Sequence, residues 1–276
     1  MTVQAPVLEI QDLRLRFEGV REAALRGVAL RVDPGEVVGV VGESGSGKSL
    51  TALCALRLEP PGASISAARL VVAGRDLRAP TRDDLRAIRG ADVSMIFQDP
   101  MAALSPTRRI GDQIADVLLR HQGLRGPVSR ADAEGLLEAV QIRNPRDVLR
   151  RYPFELSGGM RQRVLIAMAF IGRPRLVLAD EITTAIDAGV RRVVLDLIIA
   201  QATASGAAVL LISHDLNVIR SVCNRVYVMR AGEVVEDGLV ESILSTPQAA
   251  YTRMLIAAMP ELHPPRQPLL PAEGTT

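Results

Sequence analysis

Eight consecutive residues, Gly42-Glu43-Ser44-Gly45-Ser46-Gly47-Lys48-Ser49, have the form GxxxxGK[ST]. Such an octet is a phosphate-binding loop (P-loop), whose backbone N–H groups and following helix N-terminus wrap a nucleotide's phosphates. The compact ammonium of Lys48 would reach the β and γ oxygens, and the Ser49 hydroxyl is offered to Mg²⁺. Of 33 basic residues Lys48 is the one lysine, so 33 − 1 = 32 are arginine. A uniform preference for arginine reads as codon usage, and the exception falls where a planar guanidinium fork does not fit. Downstream, the apolar run Leu176-Val177-Leu178-Ala179 ends in Asp180-Glu181. In an α/β sheet that delivers two carboxylates to the edge where ligands bind. There Asp180 would hold Mg²⁺, directly or through water, and Glu181 would orient or deprotonate an attacking water. An isolated acidic pair could equally cap a turn; the P-loop upstream favours the chemical reading. A third segment, Leu156-Ser157-Gly158-Gly159-Met160-Arg161-Gln162, precedes the helical run Arg163 to Ile171. Ser157 there is either an ordinary helix N-cap or part of a second anion site, and the residues alone leave both open.

These groups need a scaffold, and the pattern around them supplies one. Glu36 to Val41 reads as a buried strand and Ser49 to Leu56 as a helix without breakers, the context a P-loop requires. Before it, Val7 to Phe17 and Val28 to Val32 alternate like antiparallel strands, with Asp33-Pro34-Gly35 as a turn. From Arg108 to about Arg151 the pattern is helical, notably Ile110 to Arg120 and Ser129 to Val140, and reads as an inserted helical lobe. Strands return at Leu176 to Ala179, Ala208 to Ser213 and Arg225 to Met229, with a helix near Val190 to Ala204; this βαβ alternation implies a parallel sheet. Beyond Ala258, Pro260, Pro264, Pro265, Pro268 and Pro271 describe a loose tail.

Composition narrows the function classes. With 276 residues and 48% apolar content the chain can bury a large core. A net charge of +2, without a basic stripe or interleaved aromatics, argues against a nucleic-acid groove. No run has the apolar length of roughly 18 to 20 residues that spans a bilayer, and no export signal opens the chain, so a cytosolic protein is expected. Cys54 and Cys223 stand apart from other ligand residues and read as buried free thiols.

Taken in order, the motifs resemble the ATPase subunit of an ABC transporter: the P-loop, Phe97-Gln98-Asp99-Pro100 as Q-loop, Leu156 to Arg161 as signature, Asp180-Glu181 as Walker B, Thr184-Ala185-Ile186-Asp187 as D-loop and Ser213-His214-Asp215 as H-loop. The resemblance covers nearly the whole chain. It implies an α/β fold, a P-loop NTPase (RecA-like) parallel-sheet core with an N-terminal antiparallel β subdomain and an inserted helical subdomain. The cassette would run over 1–259, with the helical part at about 100–160 and a proline-rich tail at 260–276. It implies ATP and Mg²⁺ as ligands. ATP would lie on Gly42, Glu43, Ser44, Gly45, Ser46, Gly47, Lys48, Ser49 and Leu50, with Phe17 against adenine, and Ser157, Gly158 and Gly159 of a second subunit closing over it. Gln98 would touch Mg²⁺ or the water and couple the site to a membrane partner; His214 would contact the γ-phosphate. Glu181, His214 and Gln98 are thus the expected catalytic set, and Ser49, Gln98 and Asp180 the expected metal set. Partners would be a second, related ATPase subunit, two transmembrane permease subunits and an extracytoplasmic solute-binding protein, with no nucleic acid. The place of work would be the cytoplasmic face of the bacterial inner membrane.

Met95 to Met101, Ile110 to Ile114 and Tyr251 to Leu255 are similar to sequences of the peptide and nickel importer branch. Three positions depart from the wider family: Met160 where many relatives have glutamine, although this branch often has methionine; Ile182 in place of the proline after the Walker B glutamate; and Ile186 in place of the D-loop leucine. The last two are expected to alter packing more than chemistry. Some members of the branch hold an iron–sulfur centre on C-terminal cysteines, and none is expected here, because no cysteine follows Cys223. Rival readings are a soluble ABC-type ATPase acting on nucleic acid or the ribosome, and a small-molecule kinase built on the P-loop. The first usually carries two cassettes or long coiled coils, and the second needs no signature.

Overall fold

A computed structural model describes residues 4–124, 126–182 and 188–258. The chain opens with β1 (Leu8–Phe17) and β2 (Leu25–Val32), then β3 (Val37–Val41) and, after the P-loop, α1 (Lys48–Ala55). It continues through β4 (Ala63–Ser66), β5 (Arg69–Val72), β6 (Arg75–Asp76), α2 (Arg82–Ile88) and β7 (Val93–Ile96). A helical stretch follows: α3 (Pro100–Ala103), α4 (Ile110–Gln122), α5 (Gly126–Ala139), α6 (Pro145–Val148) and α7 (Gly158–Phe170). Then come β8 (Leu176–Asp180), α8 (Ala188–Ser205), β9 (Ala208–Ser213), α9 (Leu216–Val222), β10 (Arg225–Arg230), β11 (Glu233–Leu239), α10 (Val240–Ser245) and α11 (Ala250–Ala257).

The strands form two sheets. One has the order β11-β10-β3-β9-β8-β7, parallel except for β11, which runs antiparallel to β10 at the edge. The other is antiparallel, β2-β1-β5-β6, with β4 also paired to β1. Strands β3, β8 and β9 are apolar at nearly every position because both faces of their sheet are covered. Alternate residues divide between two cores. Val38, Val40, Leu176, Leu178, Leu210 and Ile212 face the antiparallel sheet, while Val41, Val177, Ala179, Val209 and Leu211 face the helices. The parallel sheet is therefore the middle layer, and its strand ends carry the candidate site.

Several elements go beyond the sequence-based expectations. β2 starts at Leu25 rather than Val28: Gly27 (φ +91°) lies inside the strand as the extra residue between the Leu13–Val28 and Arg14–Arg26 pairs, so pairing resumes before it. Strands β4 to β7 and β11 and helix α2 were not expected. Most are short, and β11 is a charged edge strand without strong alternation. Thr184 to Asp187, the expected D-loop, and the tail at 260–276 lie outside the described residues.

Candidate active site

The P-loop leaves the end of β3 and runs into the N-terminus of α1. Gly42 is required by close approach: a Cβ there would lie 2.1 Å from the Met229 carbonyl oxygen on β10. Lys48 turns back over the loop. Its Nζ donates to the Gly42 and Glu43 carbonyls, each at 2.8 Å, and more weakly to Ser46 Oγ at 3.4 Å. The side chain is 4% exposed. Burial lowers its pKa, and the nearby Glu181 and Asp180 charges oppose that shift. Residues Glu43, Ser44 and Gly45 stand exposed at the loop's crest. Leu50 and Phe17 are half-buried against the core beneath the antiparallel sheet. Phe17 lies at the end of β1, opposite Ala63.

Strand β8 brings its two carboxylates to the same place. Ser49 Oγ donates to Asp180 Oδ1 at 2.8 Å. Asp180 is 8% exposed, and burial raises its pKa against the opposing Ser49 hydrogen bond. Glu181 follows with φ +44°, in the left-handed region that non-glycine residues seldom occupy, while its N–H donates to the Ile212 carbonyl at 3.1 Å. This turn aims the carboxylate across the site: Oε1 is 3.8 Å from Lys48 Nζ and Oε2 is 3.4 Å from His214 Nδ1. Asp215, beside His214, caps α9 through the Asn217 N–H and pairs with Arg191 at 2.7 Å. Ile182, the residue that departs from proline, is buried.

Thus one short span joins Lys48, Ser49, Asp180, Glu181 and His214, drawn from the P-loop, α1, β8 and the end of β9. Gln98 is exposed, two residues past the end of β7, and no hydrogen bond or ion pair ties it to this group. Ser157 caps α7, accepting from the Met160 N–H at 3.3 Å, and Gly158 and Gly159 form the first turn. Ser157 and Gly158 are exposed to solvent, outside the cluster.

Sequence reasoning missed the loop's support from the C-terminal third. The Glu43 N–H donates to the Tyr251 hydroxyl at 3.0 Å, and the Gly232 N–H donates to the Ser46 carbonyl at 2.9 Å. No local pattern signals contacts between residues so far apart in the chain.

The cluster holds a P-loop lysine, a serine–aspartate pair and a glutamate beside a histidine, with the expected Gln98 standing apart from it, and comparison with known proteins decides the family. Residues 25–184 match the ABC transporter family. The chain belongs to that family. As an ABC cassette it binds and hydrolyses ATP. It is 50% identical to the Probable D,D-dipeptide transport ATP-binding protein DdpD of Escherichia coli over 270 residues, covering 97% of this chain and 82% of that one. Identity to the Dipeptide transport ATP-binding protein DppD of Bacillus subtilis is 41% over 272 residues, 98% of this chain and 81% of the relative. The Peptidoglycan transport ATP-binding protein YejF of Agrobacterium fabrum is 45% identical over 94% of this cassette, which spans only 48% of that longer relative. Among solved structures, the dimeric post-hydrolysis state of an ATP-binding cassette bound to ADP and Pi superposes with a TM-score of 0.73 at 24% identity, covering 84% of this chain and 98% of that one. That likeness speaks for the fold.

Proposed function

We propose that this cassette is the ATP-hydrolysing subunit of an importer for peptides or related solutes, a nickel complex or other metal chelate included, working at the cytoplasmic face of the cell membrane with permease subunits, a second cassette and an extracytoplasmic binding protein. The observation that carries the chemistry is Glu181, placed by β8 between the Lys48 ammonium and the His214 imidazole. On this reading Lys48 leaves the Gly42 and Glu43 carbonyls for the phosphate oxygens of ATP. Glu181 accepts a proton from the attacking water as the water oxygen bonds to the γ-phosphorus. The bond from phosphorus to the β–γ bridging oxygen breaks, releasing ADP and phosphate. His214 lies 3.4 Å from the far carboxylate oxygen of Glu181 and on this reading would contact the γ-phosphate.

The donor set suits magnesium. Ser49 and Asp180 offer hard oxygens, and a buried carboxylate whose charge is disfavoured by desolvation gains from an adjacent cation. These two residues, with Gln98, would hold Mg²⁺, which when bound neutralises charge on the β and γ phosphates.

Names of relatives support the cargo class: D,D-dipeptide, dipeptide and peptidoglycan transport are what those proteins are called. An open cleft of about 310 Å³ supports a permease contact. It is lined by Leu58, Met95, Phe97, Val117 and Met168, between the parallel sheet and the helical stretch, next to Gln98. Phe97 is 41% exposed there, an apolar surface that a helix of a membrane partner would cover. The solvent-exposed signature and the open crest of the P-loop fit a pair of cassettes that enclose ATP between them, with Phe17 against adenine. We assign the cassette to 1–259, its helical insertion to about 100–160 and a tail to 260–276.

Glu181→Gln tests the assignment. Removing the base should slow phosphate release by about 10²- to 10⁴-fold while ATP binding survives, and an ATP-bound dimer should accumulate on size exclusion. Hydrolysis at the unaltered rate would sink the role given to Glu181.

A further inference from the structure

The P-loop is pinned from behind by groups far along the chain, Tyr251 lying 208 residues after Glu43. Most telling is the peptide unit joining Gly42 to Glu43. Its carbonyl accepts from Lys48 Nζ at 2.8 Å, and its N–H donates to the Tyr251 hydroxyl at 3.0 Å. In a planar trans peptide these two groups point in opposite directions, so holding one fixes the other. We propose that Tyr251 is a positioning residue of the ATP site: its hydroxyl sets the plane of the Gly42–Glu43 peptide and so the carbonyl that holds Lys48 before nucleotide arrives.

The support for Tyr251 is itself rigid. The side chain is 4% exposed, and the Arg230 guanidinium stacks on its ring at 4.9 Å from the centroid. Its helix, α11, is fixed at the start by Glu236, whose carboxylate accepts from the Gln248 N–H at 2.7 Å and the Ala249 N–H at 3.0 Å. Arg230 also opens the turn whose Gly232 N–H holds the Ser46 carbonyl, so two contacts of one C-terminal unit reach both ends of the loop's crest. Without the hydroxyl the Glu43 N–H loses its acceptor, the peptide can rotate, and binding must first select the competent loop. That cost falls on nucleotide binding, and the chemical step proceeds from a loop already ordered by ATP.

The inference rests on the ATP reading, and the experiment separates the two. Full-length wild type, Tyr251→Phe and Tyr227→Phe are titrated with a fluorescent ATP analogue and magnesium, and ATP hydrolysis is measured alongside. Tyr227 is the control because its hydroxyl is also part-buried and accepts a backbone N–H, from Arg31 at 3.0 Å, away from the P-loop. Tyr251→Phe should raise Kd and KM about threefold to tenfold, the range of one hydrogen bond, with kcat within about twofold. Tyr227→Phe should leave Kd at the wild-type value even where it lowers Tm. An unchanged Kd in Tyr251→Phe, or an equal rise in both variants, overturns the proposal. Wild type that fails to bind the analogue would instead remove the ATP reading beneath it.

Discussion

Lys48 shows how a single position can be read from composition and then reinterpreted from structure. Its rarity pointed to a phosphate cradle, and in the structure the ammonium turns back onto the loop's own oxygens. A lysine 4% exposed whose ammonium is bonded to three oxygens is nevertheless a poor target for reagents. The lowered pKa frees more of the amine, yet access sets the rate when the nitrogen is enclosed. An acylating reagent applied to the native protein should therefore modify the α-amino group long before Lys48, and ATP should slow Lys48 further. Peptide mass spectrometry over a time course checks this, and equal rates would contradict the enclosed placement. Glu181 makes a related point. Its φ of +44° costs on the order of 1 to 3 kcal/mol, yet it directs the carboxylate between Lys48 and His214. The acidic pair was legible in sequence; the turn that aims its second member was not, because glutamate gives no local signal for a left-handed backbone.

At the scale of elements, legibility followed burial on two faces. β3, β8, β9 and β10 stood out as apolar runs because core lies on both sides of them. β7 was missed since four residues with a buried Ser94 make no run, and β11, Glu233-Val234-Val235-Glu236-Asp237-Gly238-Leu239, reads as polar because it closes the sheet's edge. Yet the turn between β10 and β11 does as much for the site as the strands themselves. Gly232 there has φ +83°; its carbonyl accepts from Arg26 of β2 at 2.8 Å, and its N–H reaches Ser46 of the P-loop at 2.9 Å. A Cβ on Gly232 would meet the Ala24 carbonyl oxygen at 2.4 Å. Gly232→Ala should combine backbone strain with a clash against main chain, lowering stability by about 2 to 4 kcal/mol and weakening nucleotide binding together. Thermal unfolding and nucleotide titration of the same preparation check it. A variant that loses neither would show that the antiparallel sheet and the P-loop are not joined through this turn.

For the molecule as a whole, the middle sheet separates two cores, and each contains one of the two thiols. Cys54 of α1 lies in the core under the antiparallel sheet, and Cys223, which follows α9, lies in the core under the helices. Both are free and buried, and burial pushes each pKa up to about 12. A thiol in the unfolded chain ionises near 8.5. Above that pH the unfolded state releases a proton that the folded state keeps, so each thiol makes stability fall as pH rises toward 12. The slope is about 1.4 kcal/mol per pH unit per thiol. Below about pH 8 neither contributes, because both states hold the proton. Denaturant unfolding at pH 8 and pH 10 should therefore show wild type losing about 2 kcal/mol more than Cys54→Ala over that interval, and likewise more than Cys223→Ala. Whatever each alanine costs by leaving a cavity is the same at both pH values and drops out of the comparison. If only one variant flattens the pH dependence, the other thiol's core admits solvent; if neither does, the two-core arrangement does not shield them as the structure requires.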